Sequence, residues 1–298
     1  MMNQLKTLLL LGALGALVVG VGALIAPGHL YLLLALALAM NLGAYFFSDR
    51  IVLRMHGAVE ETPAEAPELH ALVADLAARA ELPTPRLFLL PDAQPNAFAT
   101  GRNPAHGVVA VTEGLLQALD RRELAAVIAH ELAHIKHRDV LLSTLAAVAA
   151  SVITYAAHAL TFSGLLGGRA DDEEGGSPLG ALAVALVAPL AATLIQLGIS
   201  RAREYQADAS AARLTGDPAA LARALLRLER SAALIPAAAS PATASLFIVN
   251  PLGAAARLAR WFSTHPSTEE RVERLLAMRV GDAPRPRRFT AAPLARGW

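Results

Sequence analysis

Four long apolar runs constrain this 298-residue chain more than any other feature: 5–26, 30–47, 140–166 and 178–200. Each is close to the roughly 20 residues that a helix needs to cross about 30 Å of hydrocarbon. The first is broken only by Lys6 near its start, and the second carries Asn41 as its main polar interruption. Pro27-Gly28-His29 between them reads as a turn. The first run is too long for the apolar core of a cleaved signal peptide, and a second follows at once, so the pair predicts a transmembrane hairpin. Composition agrees: 55% hydrophobic and 17% charged residues, with a mean hydropathy of +0.44, is too apolar for an ordinary soluble enzyme.

The segment ahead of the third run ends in Val127-Ile128-Ala129-His130-Glu131-Leu132-Ala133-His134-Ile135-Lys136-His137-Arg138-Asp139. Its core is His-Glu-x-x-His. On a helix, His130 and His134 are four residues apart and leave the same face. Two neutral imidazoles at that spacing suit one zinc ion. Glu131 lies about 100° round the helix, beside the metal, where a general base for a water is wanted. Two histidines can also simply decorate a polar helix face. Here the flanking residues are apolar and helix-forming, and Asp120 with Glu123 offers a capping box, so a core helix over 121–136 is expected.

Two histidines leave zinc short of ligands. Directly after the fourth run comes Arg201-Ala202-Arg203-Glu204-Tyr205-Gln206-Ala207-Asp208. If helical, Glu204 and Asp208 share a face. Glu204 is the candidate third ligand. Asp208 is placed to accept the second ring N–H of a bound histidine, which sets its tautomer. The other routes are poor: the position six residues after His134 is Val140, and His137 follows too closely on the same helix.

Between these landmarks, 62–82 reads as an amphipathic helix, and 86–90, 96–100 and 107–112 as short strands. A small sheet packed on helices results, and its edge could bind an extended peptide by strand addition. Asp217-Pro218 opens a helix over 219–230, 231–251 reads as a mobile loop with an apolar patch at 246–249, and a last helix ends near Met278. The acidic loop 167–177 reads as solvated, and the basic tail as disordered.

Lys6, Arg50, Arg54, Lys136, Arg138, Arg201 and Arg203 flank the runs on the motif's side, and Arg169 alone lies near the opposite ends. The positive-inside rule then places both termini and the motif in the cytoplasm. A net charge of +1 gives no field for nucleic acid, and the absence of cysteine excludes disulfides, thiolate metal sites and a thiol nucleophile.

In order and spacing the chain resembles the HtpX-type membrane zinc endopeptidases, of the gluzincin clan that also holds the CAAX prenyl endopeptidases. The residues that carry the likeness are the two amino-terminal runs, Asn96-Ala97-Phe98-Ala99-Thr100-Gly101, His130-Glu131-Leu132-Ala133-His134 through Arg138-Asp139, two further runs, Glu204-Tyr205-Gln206-Ala207-Asp208, and Ser263-Thr264-His265-Pro266. The resemblance implies a bacterial inner-membrane protease with a cytoplasmic active site, acting on misfolded or damaged membrane proteins. It carries zinc ligation, one ion per chain, to His130, His134 and Glu204, catalysis to Glu131, and a substrate-binding or oxyanion role to Asn96 and His265. The expected fold is a mainly α integral membrane protein. Four transmembrane helices join a cytoplasmic α+β gluzincin domain with a small sheet: hairpin 1–50, catalytic part 51–139, hairpin 140–200 and catalytic part 201–298.

The reaction so implied is peptide hydrolysis, with Glu131 moving the proton. A zinc-stabilised membrane scaffold or chaperone keeps the three ligands but has no need of Glu131. A prenyl-protein endopeptidase is the third reading, weakened because those enzymes have more spans.

Overall fold

The structure is a computed structural model of the chain, and it describes residues 2–25, 28–151, 201–237, 242–251 and 266–278. The fourth apolar run, the loop 167–177, His265 and the basic tail lie outside the described residues. The first two runs are helical. They form α1 (Met2–Ile25) and α2 (Leu30–Met55), joined through Gly28 at φ +93°. Among the described residues, α2 is long and apolar enough to cross a membrane. Large apolar side chains such as Leu8, Leu9, Tyr31, Leu32 and Leu38 stand exposed along both helices. The buried side of the pair is fixed by one polar contact: the Asn41 amide donates to Leu11 O at 2.9 Å. A polar group on an apolar helix face has few other partners, so it sets the register of the two helices.

Beyond α2 the chain builds a four-stranded sheet from β1 (Val59–Glu60), β2 (Arg86–Leu90), β3 (Ala97–Thr100) and β4 (Val108–Thr112). The order is β1-β2-β4-β3, with β2 and β4 parallel and the outer pairs antiparallel. The period-2 alternation is clean. Leu87, Val109, Val111, Ala97 and Ala99 enter one apolar cluster, while Phe88, Leu90, Val108, Ala110 and Phe98 enter another with Val52 and Leu53 of α2. The sheet is therefore covered on both faces, and β3 presents one edge away from β4. Gly101 ends β3 at φ +128°, where an added Cβ would sit 2.2 Å from His106 O. Only glycine fits that turn.

α3 (Pro67–Arg79) is shorter than the 62–82 expected. Thr62 and Glu65 bond one another in a separate turn, and Pro67 takes the first helical position, where its missing N–H costs nothing. α4 (Glu113–Ala118) follows β4 directly. α5 (Arg121–His137) then carries the motif through the first apolar cluster, buried along most of its length. The expected capping box is present: Asp120 accepts from Arg122 and Glu123 N–H at 2.8 and 2.9 Å, and Glu123 accepts from Asp120 N–H at 3.3 Å.

α5 does not run unbroken into the third apolar run. Arg138 adopts a left-handed conformation (φ +56°), and a new helix, α6 (Val140–Ser151 in the described residues), begins two residues later. α7 (Arg201–Thr215), α8 (Pro218–Leu234) and α9 (Thr268–Ala277) complete the domain, and α5 packs against α3, α7, α8 and β3.

Replacing Asp120 with Ala removes the side-chain acceptor of the Arg122 and Glu123 N–H groups at the start of α5, while the backbone bond to the Glu123 carboxylate remains. Thermal unfolding should show a loss of about 0.5–2 kcal/mol. An unchanged midpoint would mean that α5 is held by packing alone.

Candidate active site

Packing of α5 on α7 brings three donors to one point. His130 Nε2 and His134 Nε2 lie 3.0 Å apart, and Glu204 reaches them with Oε2 at 3.6 Å and Oε1 at 3.7 Å respectively. The ligand atoms of these three residues all lie within 4.8 Å of one another. Zinc–nitrogen bonds of about 2.0–2.1 Å at a tetrahedral angle put two nitrogens about 3.3 Å apart, so the pair is close to a metal-binding separation.

Each imidazole is aimed by a carboxylate on its other nitrogen. Asp208 Oδ1 is 3.0 Å from His130 Nδ1, and Asp139 Oδ2 is 3.2 Å from His134 Nδ1. With each Nδ1 beside a carboxylate, the two Nε2 atoms face one another at 3.0 Å. Two lone pairs at that distance repel unless a cation is shared between them. Charge points the same way. Glu131, Asp139, Glu204 and Asp208 bring four carboxylates, and Arg203 and Arg271 bring two cations. This excess of acidic groups over guanidinium groups favours a cation. The donor set therefore fits zinc.

The field at the site explains the proton affinities. Burial pushes His134 down, but the Asp139 and Glu204 carboxylates outweigh it and raise its pKa to about 10. The field that holds a proton there equally favours a divalent cation. Burial lowers His130, against the pull of Asp208. Glu131, 2% exposed, is raised by burial to about 7, with Glu204 adding to the rise and the Ala99 N–H opposing it. Asp208 is raised by burial but more strongly lowered by the Arg271 guanidinium, to about 2.

Two residues of the site had no assigned part in the sequence reading. Asp139 was visible only as the residue after Arg138. It reaches His134 because the left-handed turn at Arg138 folds the chain back, and a continuous helix would have carried it away. Arg271, 2% exposed, clamps Asp208 with two bonds of 2.8 and 2.7 Å (Nε to Oδ2, Nη2 to Oδ1) and donates from Nη1 to Ile248 O at 2.8 Å. A lone arginine in a charged, solvated-looking helix start carries no such signal in sequence. Asn96 is not at the donor cluster. Its amide donates to Val249 O at 2.8 Å and sits buried at the head of β3.

The cleft is lined by His130, Glu131, His134, Glu204, Arg203 and Asp139, with Ala99, Val140, Ser143 and 245–248 as its remaining walls. The fold and the site together define a metallopeptidase, with two imidazoles, a carboxylate and an adjacent buried acid on one helix pair. The chain belongs to peptidase family M48, whose family model matches residues 63–279. It is 51% identical over 285 residues to a protease HtpX homolog of Ralstonia nicotianae, covering 93% of this chain and 97% of that one. It is 50% identical over 283 residues to the homolog of Ralstonia pickettii (93% and 97%) and 48% over 282 to that of Burkholderia mallei (93% and 98%). Among solved structures it shares the fold of S. mikatae Ste24p, with a TM-score of 0.50 and 20% identity over 92% of this chain and 65% of that chain. The enzyme is a membrane metalloprotease with zinc as its cofactor.

Asp208→Asn keeps the shape but takes the two-bond anionic partner from Arg271, leaving only its longer contact to Glu204 (Nη2 to Oε2, 3.9 Å), and removes the charge that anchors His130. Zinc affinity, measured by chelator competition, should fall about 10- to 100-fold. Asp208 also ties stability to pH. Its folded pKa of about 2 lies below the ordinary 3.8, so its contribution is complete above that value and is lost as pH falls towards 2. The acid limb of the stability profile should flatten in Asp208→Asn, and an unaltered limb would exclude the clamp as its source.

Proposed function

We propose that this protein is a zinc endopeptidase of the bacterial inner membrane that hydrolyses peptide bonds of misfolded or damaged membrane proteins on the cytoplasmic side. The observation that carries the reading is the convergence of His130, His134 and Glu204 beside buried Glu131, at the point where α6 begins. In this reading those three residues hold the metal, Asp208 and Asp139 orient the imidazoles, and Glu131 moves the proton. Zinc, when bound, supplies Lewis-acid polarisation of the scissile carbonyl and lowers the pKa of a water. Glu131 accepts a proton from the attacking water and returns it to the leaving amine nitrogen. A carboxyl raised to about 7 by burial is suited to both transfers near neutral pH.

The membrane arrangement is part of the same proposal: hairpins 1–50 and 140–200, with catalytic parts 51–139 and 201–298 on one side. The exposed apolar side chains of α1 and α2 support it, as does the basic set Arg50, Arg54, Lys136, Arg138, Arg201 and Arg203 beside the catalytic parts. A protease whose cleft opens where helices leave the bilayer is suited to chains that are themselves membrane-bound. His265 is assigned a substrate or oxyanion role on resemblance alone. The homologues in Ralstonia and Burkholderia, named as proteases, support the reading over a non-catalytic scaffold.

Two measurements test this. Glu131→Gln keeps the donor set, so zinc content should match wild type while casein cleavage falls roughly 10²–10⁴-fold. Wild-type cleavage rates with zinc bound would favour the scaffold. The cysteine-free chain also allows topology mapping in intact cells. An impermeant thiol reagent should reach a cysteine placed at Glu173 and not one at Ala105. The opposite labelling would invert the topology.

A further inference from the structure

Lys136 and His137 lie on the last turn of α5, outside the cleft that holds the metal donors. They line a second cavity, of about 360 Å³, walled by the end of α3, by α5 and by α7. Its floor is apolar: Ala129, Leu132 and Ala133 of α5 are at most 6% exposed. Its rim is basic. Arg79 of α3, Lys136 and His137 of α5, and Arg213 of α7 surround the opening together with the Ser210 hydroxyl. Among the described residues no carboxylate lines it. Ala129 and Ala133 directly precede His130 and His134, so the cavity lies about 100° round α5 from the donors, on the side away from Glu131. The two cavities share no lining residue.

The basic rim is held in place by backbone bonds between helices. Lys136 Nζ donates to Ala80 O at 2.9 Å, which ties α5 to the end of α3. Arg79 Nη1 donates to Leu214 O at 3.5 Å, which ties α3 to α7, and its other end pairs with Asp75. Arg213 Nη2 donates at 3.3 Å to Ser210 Oγ, a hydroxyl and not a carboxylate. The nearby acids weaken this field little. The side chains of Asp75 and of Glu81, which stands 3.6 Å from Lys136 Nζ, are 51% and 85% exposed, so solvent screens them. A volume of this size falls within the roughly 300–1,000 Å³ typical of small-ligand pockets.

We propose that this cavity binds a phosphate ester, with its phosphate on Arg79, Lys136 and Arg213 and its carbon skeleton over Ala129, Leu132 and Ala133. A carboxylate is served by a single guanidinium fork, whereas a phosphate has oxygens and charge enough for donors that converge from three helices. A bare ion leaves the apolar floor uncovered, so the ligand carries an organic part. Two sources share this chemistry, the headgroup of an anionic phospholipid and a soluble phosphate ester. The lipid source rests on the membrane arrangement proposed above, in which α6 enters the bilayer just beyond His137; the site itself does not rest on the peptidase reading. All three metal donors sit on α5 and α7. A ligand bonded to Lys136 and Arg213 bridges the same two helices and braces the packing that brings those donors together.

Hydrogen exchange of the zinc-loaded full chain tests this and separates the sources. In neutral detergent, glycerol 3-phosphate is compared with sodium chloride at equal ionic strength. In bilayer discs, phosphatidylglycerol, whose phosphate carries the net charge, is compared with phosphatidylcholine, whose phosphate is balanced by its own ammonium. Exchange at 129–137 and 210–214 should slow several-fold. Slowing in the first arm assigns a soluble ester, and slowing in the second arm alone assigns a lipid headgroup. The protection should vanish in Lys136→Gln/Arg213→Gln. If that variant misfolds, Ser210→Asp takes its place: the added carboxylate meets Arg213 inside the cavity and should block the site with the cations intact. Unchanged exchange in both arms overturns the proposal. So does protection that persists in the folded variant, or equal protection by succinate, because either outcome means general screening of charge.

Discussion

Four carboxylates cannot be taken out of water in one place unless positive charge goes with them. Glu131, Asp139, Glu204 and Asp208 are each at most 5% exposed, and the elements around them are arranged to supply what they lack. Arg271 is buried with them and gives Nε and Nη2 of its guanidinium to Asp208. The donor set of His130, His134 and Glu204 accounts for the rest as a divalent-cation site. Removing one partner of such a pair typically costs several kcal/mol, because the other is left charged and unpaired in a poor solvent for charge. Much of the tertiary structure can be read as the means of keeping these charges together.

The helices meet that requirement through their geometry. α5 contributes His130, Glu131 and His134 from adjacent faces of one buried helix, so their spacing is set by the 3.6-residue period. α7 brings Glu204 and Asp208 at i, i+4, so that Glu204 faces both imidazoles and Asp208 faces His130 alone. The left-handed turn at Arg138 has two effects: it ends α5 and returns Asp139 to His134. A non-glycine residue in that region costs about 1 kcal/mol, and the bond to His134 is what offsets it. α6 begins two residues after that turn, so the metal donors lie near the start of an apolar helix.

The sheet has a different part. Its two faces are sealed by apolar clusters, which leaves the edge of β3 as its contribution to the site. From that edge Ala99 N–H meets Glu131, and Ala97 O meets the segment ahead of α9. An exposed strand edge is a liability in any protein, and covering it is the common remedy. Here the cover, Glu131 and the three clustered donors line one cleft.

Much of this enzyme was legible in its sequence because short-range periodicity decides it. His130 and His134 share a face for the same reason that Asp120 and Glu123 cap the helix carrying them, and 86–90 and 108–112 read as strands. The first two apolar runs announced the helices α1 and α2. What the tertiary structure decided is the company these residues keep. No local rule joins Arg271 to Asp208 across 63 residues, or Ile248 to Ala97 across a longer separation. Nor does any local rule distinguish a solvated arginine from one that balances a buried carboxylate. Asp139 needed the break at Arg138, which helix propensity does not foretell. Spacing along the chain assigns residues to faces. Only the packing of those faces, under the condition that buried charge be matched, determines which residues become partners.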